Sequence, residues 1–355
     1  MTISDIEYLI ILLVLLSLFI IGMKKHELTK LGGADLNTTN ALKGIACVFI
    51  LLGHYGQRKF IVPELPWGIS RVVCHLTASI ALTWFMYFSG YGLSLKENNS
   101  PIFQQWWSRM KKIYLPLFFV CVLSLVLYLI LPDKYTFGEY KSLWLSTDIY
   151  NLHHFTPSVL PEIIEHCLGW KDWYVFCILI FYSFFYFSQH VARKLNVSQT
   201  PFLWILMCFY FVWAYFVFGS PEAHWYRFCW VFFGGHVHAR WKFWSSKERK
   251  IYLLLFAILA SSVMIQGLIM MIVYLIATSL LLVVFIINRR YTIESKILLF
   301  LGGISFFFYL SHIRIGYNLM TYIGWNSIIL WIVVTILCSM VLDKVFSSFK
   351  KSINN

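Results

Sequence analysis

Lys43 and His54 are the side chains whose types and spacing point most directly to chemistry. They lie 11 positions apart in the apolar segment Ala41-Leu42-Lys43-Gly44-Ile45-Ala46-Cys47-Val48-Phe49-Ile50-Leu51-Leu52-Gly53-His54-Tyr55. On a helix that spacing is roughly 16 Å along the axis. An ionisable group inside an apolar span is costly and calls for a reason. A cation at one end and an imidazole at the other suit a long substrate whose anionic end sits at the membrane surface and whose reacting end lies deeper. Imidazole, with an unperturbed pKa of about 6.5, suits proton transfer. A lone histidine in such a run is ordinarily a hydrogen-bonded packing residue, and its spacing from Lys43 sets this one apart.

The elements that must position this pair are helices in a bilayer. The chain is 59% hydrophobic and 19% aromatic, with a mean hydropathy of +0.71, far outside the soluble range. An all-α polytopic membrane protein is expected. The formal net charge of +13 then reads as Lys and Arg retained in cytoplasmic loops, and a nucleic-acid partner is not expected. The 8 Cys are scattered, with no Cys-x-x-Cys pair. They read as small buried hydrophobes, not as a disulfide framework or a zinc site.

Apolar runs of spanning length fall at about 6–23, 41–56, 73–95, 113–131, 173–188, 201–218, 226–241, 251–266, 268–287, 298–316 and 326–346, which makes 11 spans. The first carries Asp5 and Glu7 at its start in place of Lys or Arg and has Lys24-Lys25 behind it, so it reads as a retained span and not a cleaved signal. With the N-terminus outside and the C-terminus inside, 21 of the 29 Lys and Arg fall on the cytoplasmic side. The expected organisation is an extra N-terminal span with its linker over 1–35, followed by one membrane domain over 36–355. In this topology Lys43 lies at the cytoplasmic end of its span and His54 near the outer end.

Other candidates rank lower. The outside segment 132–172 carries Trp144, His153, His154, Glu162, Glu165, His166, Trp170 and Asp172, a set suited to a hydroxylic ligand or to plain interfacial anchoring. Trp225, Tyr226 and Arg227 read as interface anchors. His236-Val237-His238 has no carboxylate or Cys nearby, and Glu162-Ile163-Ile164-Glu165-His166 has Glu where a zinc motif needs His. No metal is expected. A Gly-x-Ser-x-Gly nucleophile is absent.

Four segments in order carry a family resemblance. Leu42-Lys43-Gly44-Ile45-Ala46, continuing to Leu52-Gly53-His54, resembles the first core helix of the acyltransferase 3 family, the integral-membrane acyltransferases of surface glycans, with Lys43 where that family usually has arginine. Phe85-Met86-Tyr87-Phe88-Ser89-Gly90-Tyr91 resembles its Phe-rich Ser-Gly-Phe segment. Arg109-Met110-Lys111-Lys112-Ile113-Tyr114-Leu115-Pro116 resembles its Arg-x-x-Arg element, with Lys112 replacing the second arginine. Gly302-Gly303-Ile304-Ser305-Phe306-Phe307-Phe308-Tyr309-Leu310-Ser311-His312 resembles its late Gly-x-x-Ser and Tyr-Leu-x-His segment. The resemblance spans about 36–346, and the family core of ten helices makes the first span an addition.

The resemblance implies O-acylation, most often O-acetylation, of a carbohydrate hydroxyl with cytoplasmic acyl-CoA, most often acetyl-CoA, as donor. His54 is then the general base. Lys43, Arg109 and Lys112 are the cations for the acyl-CoA phosphates, as point charges where lysine lacks the arginine fork. Ser89, His312 and Arg314 are candidate substrate contacts. The acceptor would be a surface or exported cell-envelope polysaccharide or its lipid-linked precursor, at a bacterial plasma membrane. A transporter or flippase of a lipid-linked glycan explains the spans and aromatic richness equally well. It predicts neither acyl-CoA dependence nor covalent change, and the internal repeats common in transporters are not seen.

Overall fold

A computed structural model describes residues 3–25, 35–59, 69–95, 100–130, 164, 167–169, 172–219, 225–262, 268–317, 319 and 327–354. Trp144, His153, His154, Glu162, Glu165, His166 and Trp170 lie outside them.

In hydrocarbon each backbone N–H and C=O must be satisfied within its own segment, so long apolar runs become helices. The described chain follows that rule: α1 Ile3–Gly22, β1 Met23–Lys25, α2 Leu36–Lys59, α3 Ile69–Leu95, α4 Ile102–Ile130, α5 Trp173–Leu195, α6 Thr200–Phe218, α7 Cys229–Arg240, α8 Ser246–Ser261, α9 Leu268–Asn288, β2 Tyr291–Ile293, α10 Lys296–Gly303, α11 Ser305–Ser311, a π-helical stretch His312–Tyr317, and α12 Ile328–Asn354. Each of the 11 apolar runs is helical over most of its described length. Among the described residues, Leu36–Tyr55, Trp173–Leu195, Thr200–Phe218 and Ile328–Ser348 are long and apolar enough to cross a membrane, and the pair α10 and Ser305–Gly316, bent by 62°, is a fifth if it counts as one broken span. The protein is an all-α, multi-pass membrane protein. Large apolar side chains stand outward along α1 and α6, such as Leu13, Leu16, Phe209 and Phe216, a face suited to lipid and not to water.

Local chemistry sets the helix ends. Asp172 caps α5 by accepting from the Val175 N–H at 3.2 Å, and Asn196 closes that helix in the left-handed region with Arg193 and Lys194 in the last turn. Ser245 and Glu248 form a capping box at the start of α8.

The chain divides into two compact units. The first comprises 1–81, 114–171 and 282–355, and the second 82–113 and 172–281.

In the first unit α2 crosses α10 at very close range. A Cβ added to Gly44 would lie 2.3 Å from the Leu298 carbonyl oxygen, and one added to Gly302 would lie 2.0 Å from that of Asn40. Only glycine permits this approach. The start of α2 is latched to the end of α9. Asp35 accepts from the Thr38 N–H at 2.8 Å and from Asn288 Nδ2 at 2.6 Å, while the Asp35 N–H donates to Asn288 Oδ1 at 2.9 Å. Burial alone would raise the Asp35 carboxyl, but these hydrogen bonds hold it below its ordinary value. β1 pairs antiparallel with β2, Lys24 opposite Thr292. At the other end of α2, Tyr8 of α1 donates to the Leu52 carbonyl at 2.6 Å, and Tyr55 lies between Tyr8 and Trp331, with ring centroids 6.2 and 6.0 Å away. Glu7 accepts from Ser327 Oγ and the Ile328 N–H, a carboxylate at the positive end of α12.

The second unit repeats the close crossing with α3 and α7. A Cβ on Gly90 would lie 2.0 Å from the Phe232 carbonyl oxygen, and one on Gly235 would lie 2.2 Å from that of Tyr87. Around this crossing α5, α6, α7 and α8 pack in sequence order, with Phe181, Tyr210, Phe228, Phe232 and Phe233 wholly buried.

Candidate active site

In the first unit α2 runs unbroken from Lys43 to His54, which keeps the pair roughly 16 Å apart along one axis. Both side chains are half-buried. The His54 ring faces the His312 ring, their centroids 5.0 Å apart and their planes 39° apart. His312 reaches this place through a break in its own span. The helix kinks after Gly302-Gly303, where Ile304 sits at φ −90° and ψ 6°; paired small residues are the common site of such kinks. The chain then widens into the π-helical turn at His312, a form frequent at functional sites.

Every residue from Ser311 to Gly316 is buried. His312 is 1% exposed and Arg314 8%. His312 Nδ1 lies 2.5 Å from the Tyr309 carbonyl oxygen. A carbonyl only accepts, so Nδ1 carries the hydrogen and Nε2 is the nitrogen left for the neutral ring's lone pair. Trp331 Nε1 of α12 donates to the His312 carbonyl at 2.7 Å. The Arg314 carbonyl accepts from Ser124 Oγ at 3.2 Å. The structure thus brings His54 and His312 together, with Arg314 two residues further along the same turn.

The second unit holds the other three sequence candidates. Arg109 and Lys112 line one cleft of about 240 Å³, together with Ser100, Gln104, Gln105, Ser108 and Tyr186. Arg109 hydrogen-bonds Tyr186 and lies near the Tyr182 hydroxyl. Ser89 is not part of that lining: its hydroxyl donates to the Phe85 carbonyl at 2.8 Å and hydrogen-bonds Tyr182. Two cations with several amide and hydroxyl donors fit an anion of the phosphate class. Sequence reasoning picked out the cations and missed their neutral neighbours, although Ser100, Gln104, Ser108 and Lys112 recur every four residues, the spacing of one helix face.

The pair His236 and His238 also lies in this unit. His236 is 1% exposed. Ser94 Oγ donates to the Gly90 carbonyl at 2.7 Å, so it accepts from His236 Nδ1 at 2.8 Å, and Thr200 Oγ1 donates to Nε2 at 3.0 Å. Both ring nitrogens are spoken for by hydroxyls. His238 hydrogen-bonds the Tyr87 hydroxyl beside the stacked ring of Tyr91. Among the described residues, no group of three His, Cys, Asp or Glu side chains is arranged to hold a metal.

The first unit thus holds an imidazole pair at a broken span, and the second holds a cationic cleft. The chain matches the family model described as an acyltransferase domain over residues 37–343 and belongs to the acyltransferase 3 family. Acyl transfer is therefore the class of its activity. No curated protein and no solved structure matches the chain.

Proposed function

We propose that the protein transfers an acyl group, acetyl in the first instance, from cytoplasmic acyl-CoA to a hydroxyl of a surface or exported polysaccharide or its lipid-linked precursor. The observation that carries this reading is the half-buried His54, held beside His312 on the same unbroken helix as Lys43. His54 takes the proton of the acceptor hydroxyl as its oxygen attacks the thioester carbonyl carbon. The tetrahedral adduct collapses, the C–S bond breaks, and the imidazolium returns its proton to the departing thiolate to give CoA. The cations assigned to the donor phosphates are Lys43 in the first unit and Arg109 with Lys112 in the second. The acceptor contacts are His312, Arg314 and Ser89. Eleven spans with the N-terminus outside and the C-terminus inside a bacterial plasma membrane complete the proposal, with the charge bias of the loops as its support.

The test is acceptor-dependent release of the CoA thiol from acetyl-CoA by the purified protein in a bilayer, with cell-envelope glycan as acceptor. His54→Ala is expected to lower turnover about 100- to 10,000-fold, the usual contribution of a well-placed base, with membrane insertion intact. Full activity in that variant sinks the mechanism. No release with any short acyl-CoA from folded wild-type protein favours glycan transport instead.

A further inference from the structure

Arg227 Nε, Trp230 Nε1 and the Tyr274 hydroxyl of the second unit are sealed from solvent, and none has a hydrogen-bond partner among the described residues. A buried donor left unpaired carries its full desolvation cost, so three in one region call for a reason. We propose that they form a binding site for a phosphate group, with the Arg227 guanidinium supplying the charge and Trp230 and Tyr274 the neutral donors. The proposal does not depend on His54 or on the transfer reaction.

The three side chains are neighbours. Arg227 and Trp230 flank the start of α7, and Tyr274 lies in the second turn of α9. The Tyr274 ring meets the Trp230 ring edge-on, with centroids 5.8 Å apart, and the Phe228 ring likewise at 6.0 Å. The guanidinium sits over the Phe228 face, 5.2 Å from its centroid, within electrostatic reach of the Tyr274 hydroxyl. Their chemistry is that of an anion receptor. Arg and Trp nitrogens only donate, and a phenol can donate, so the matching ligand is rich in acceptor oxygens. Among the described residues Arg227 makes no ion pair, and the nearby Asp172 carboxylate accepts instead from the Val175 N–H. The N-cap of α7 is Phe228, which has no capping oxygen, so the positive end of that helix adds to the same charge. Arg227 is half-buried, while Trp230 and Tyr274 are 7% and 2% exposed, so a ligand enters past Arg227. Trp173 stacks on Phe228 at 5.7 Å and extends the apolar wall, which suits a phosphate carried on an apolar alcohol.

The test titrates the purified full-length protein, in nonionic detergent, with farnesyl phosphate, inorganic phosphate and farnesol. Heat of binding and the rise in unfolding temperature are both read. Farnesyl phosphate is expected to bind and to raise the unfolding temperature, and farnesol to bind at least about tenfold more weakly. Arg227→Met, Trp230→Phe and Tyr274→Phe are each expected to weaken farnesyl phosphate about 10- to 100-fold, the range for a hydrogen bond to a charged group. Without ligand, Trp230→Phe and Tyr274→Phe are expected to unfold at or above the wild-type temperature, because each replaces an unpaired buried donor with apolar surface. A ligand-free Tyr274→Phe protein that unfolds earlier shows a hydroxyl already bonded within the fold and overturns the proposal. Farnesol binding as tightly as farnesyl phosphate makes the region an apolar groove and overturns it. Unchanged affinity in all three variants overturns it too, as does no binding of either phosphate, which leaves a buried water as the partner of these donors. Tighter binding of farnesyl phosphate than of inorganic phosphate supports a lipid-borne group, and equal binding supports the free ion at the same site.

Discussion

In the first unit His54 is half-buried and faces a second imidazole at 5.0 Å, whereas in the second unit His236 is wholly buried between the hydroxyls of Ser94 and Thr200. Each unit has a helix crossing that only glycine permits: Gly44 and Gly302 in the first, and Gly90 and Gly235, beside His236, in the second. The backbone device is shared and the polar surroundings differ. A ring whose two nitrogens are occupied by small, fixed hydroxyls is a satisfied structural group, because any proton it takes up breaks one of those bonds in a low-dielectric interior. A ring with access on one side and a partner on the other can cycle a proton.

Exchanging the perturbation tests that contrast most strongly. His54→Ala is expected to remove turnover while leaving the thermal unfolding temperature near wild type. His236→Ala is expected to do the reverse. It takes the imidazole from the buried Thr200 hydroxyl and leaves Ser94 with the Gly90 carbonyl alone, at a cost of about 1–3 kcal/mol, lowers the unfolding temperature, and leaves kcat per folded protein near wild type. Turnover and thermal unfolding measured on the same preparations check both. A collapse of turnover in His236→Ala with normal unfolding would place the chemistry in the second unit.

The glycine crossings sharpen the comparison from the structural side. A Cβ on Gly302 or Gly235 meets a backbone carbonyl at 2.0 or 2.2 Å, whereas one on Gly303 or Gly92 meets nothing within 4 Å. Gly302→Ala and Gly235→Ala are each expected to cost at least about 1–3 kcal/mol, the usual penalty of overpacking. Gly303→Ala and Gly92→Ala are expected to unfold as wild type does. If Gly302→Ala were neutral in thermal unfolding, α2 and α10 would be free to separate.

The smallest effect concerns the helix starts. Hydrogen bonds hold Asp35 below its ordinary value of 3.8 against the opposing effect of burial. A carboxyl lowered in the folded state adds stability above its unfolded value, and that stability is lost as pH falls through the lower folded value. Acidification below about pH 4 should therefore reduce wild-type stability, and Asp35→Asn should flatten this decline. At neutral pH the variant is expected to cost about 0.5–2 kcal/mol, the range for a lost helix cap. Glu248 in the second unit is also held low, by hydrogen bonds from Ser245, but it caps a helix at the surface, so Glu248→Gln, which keeps an amide oxygen for the Ser245 N–H, is the control with little expected change. Unfolding temperature against pH for the two variants decides it; equal slopes would remove Asp35 as a latch.

Much of the helical content was legible in the sequence because an apolar run in a bilayer has one way to satisfy its backbone. The same run says nothing of where a helix bends. The 298–316 stretch reads as one span, yet it kinks by 62° after Gly302-Gly303 and widens at His312. The runs 251–266 and 268–287 show a related limit: α8 ends at Ser261 and α9 begins at Leu268, and the apolar residues on either side do not differ in kind. In the cleft, Arg109 and Lys112 stood out by charge, while Gln104 and Ser108 needed the fold to show that they face the same space. Asp35 and Asn288, 253 positions apart, carried no sequence signal for each other.

By itself the sequence determined an all-α membrane protein, the acyltransferase motifs, and the 11-residue interval that places Lys43 and His54 on one helix, because hydropathy, helical rise and residue chemistry are local properties. The tertiary structure alone decided that His312 meets His54 across 258 positions of chain, that the motif glycines serve backbone contact, and that His236 is sealed by hydroxyls. Those outcomes depend on which helices cross and how closely, and steric fit between distant segments is written in no single stretch of residues.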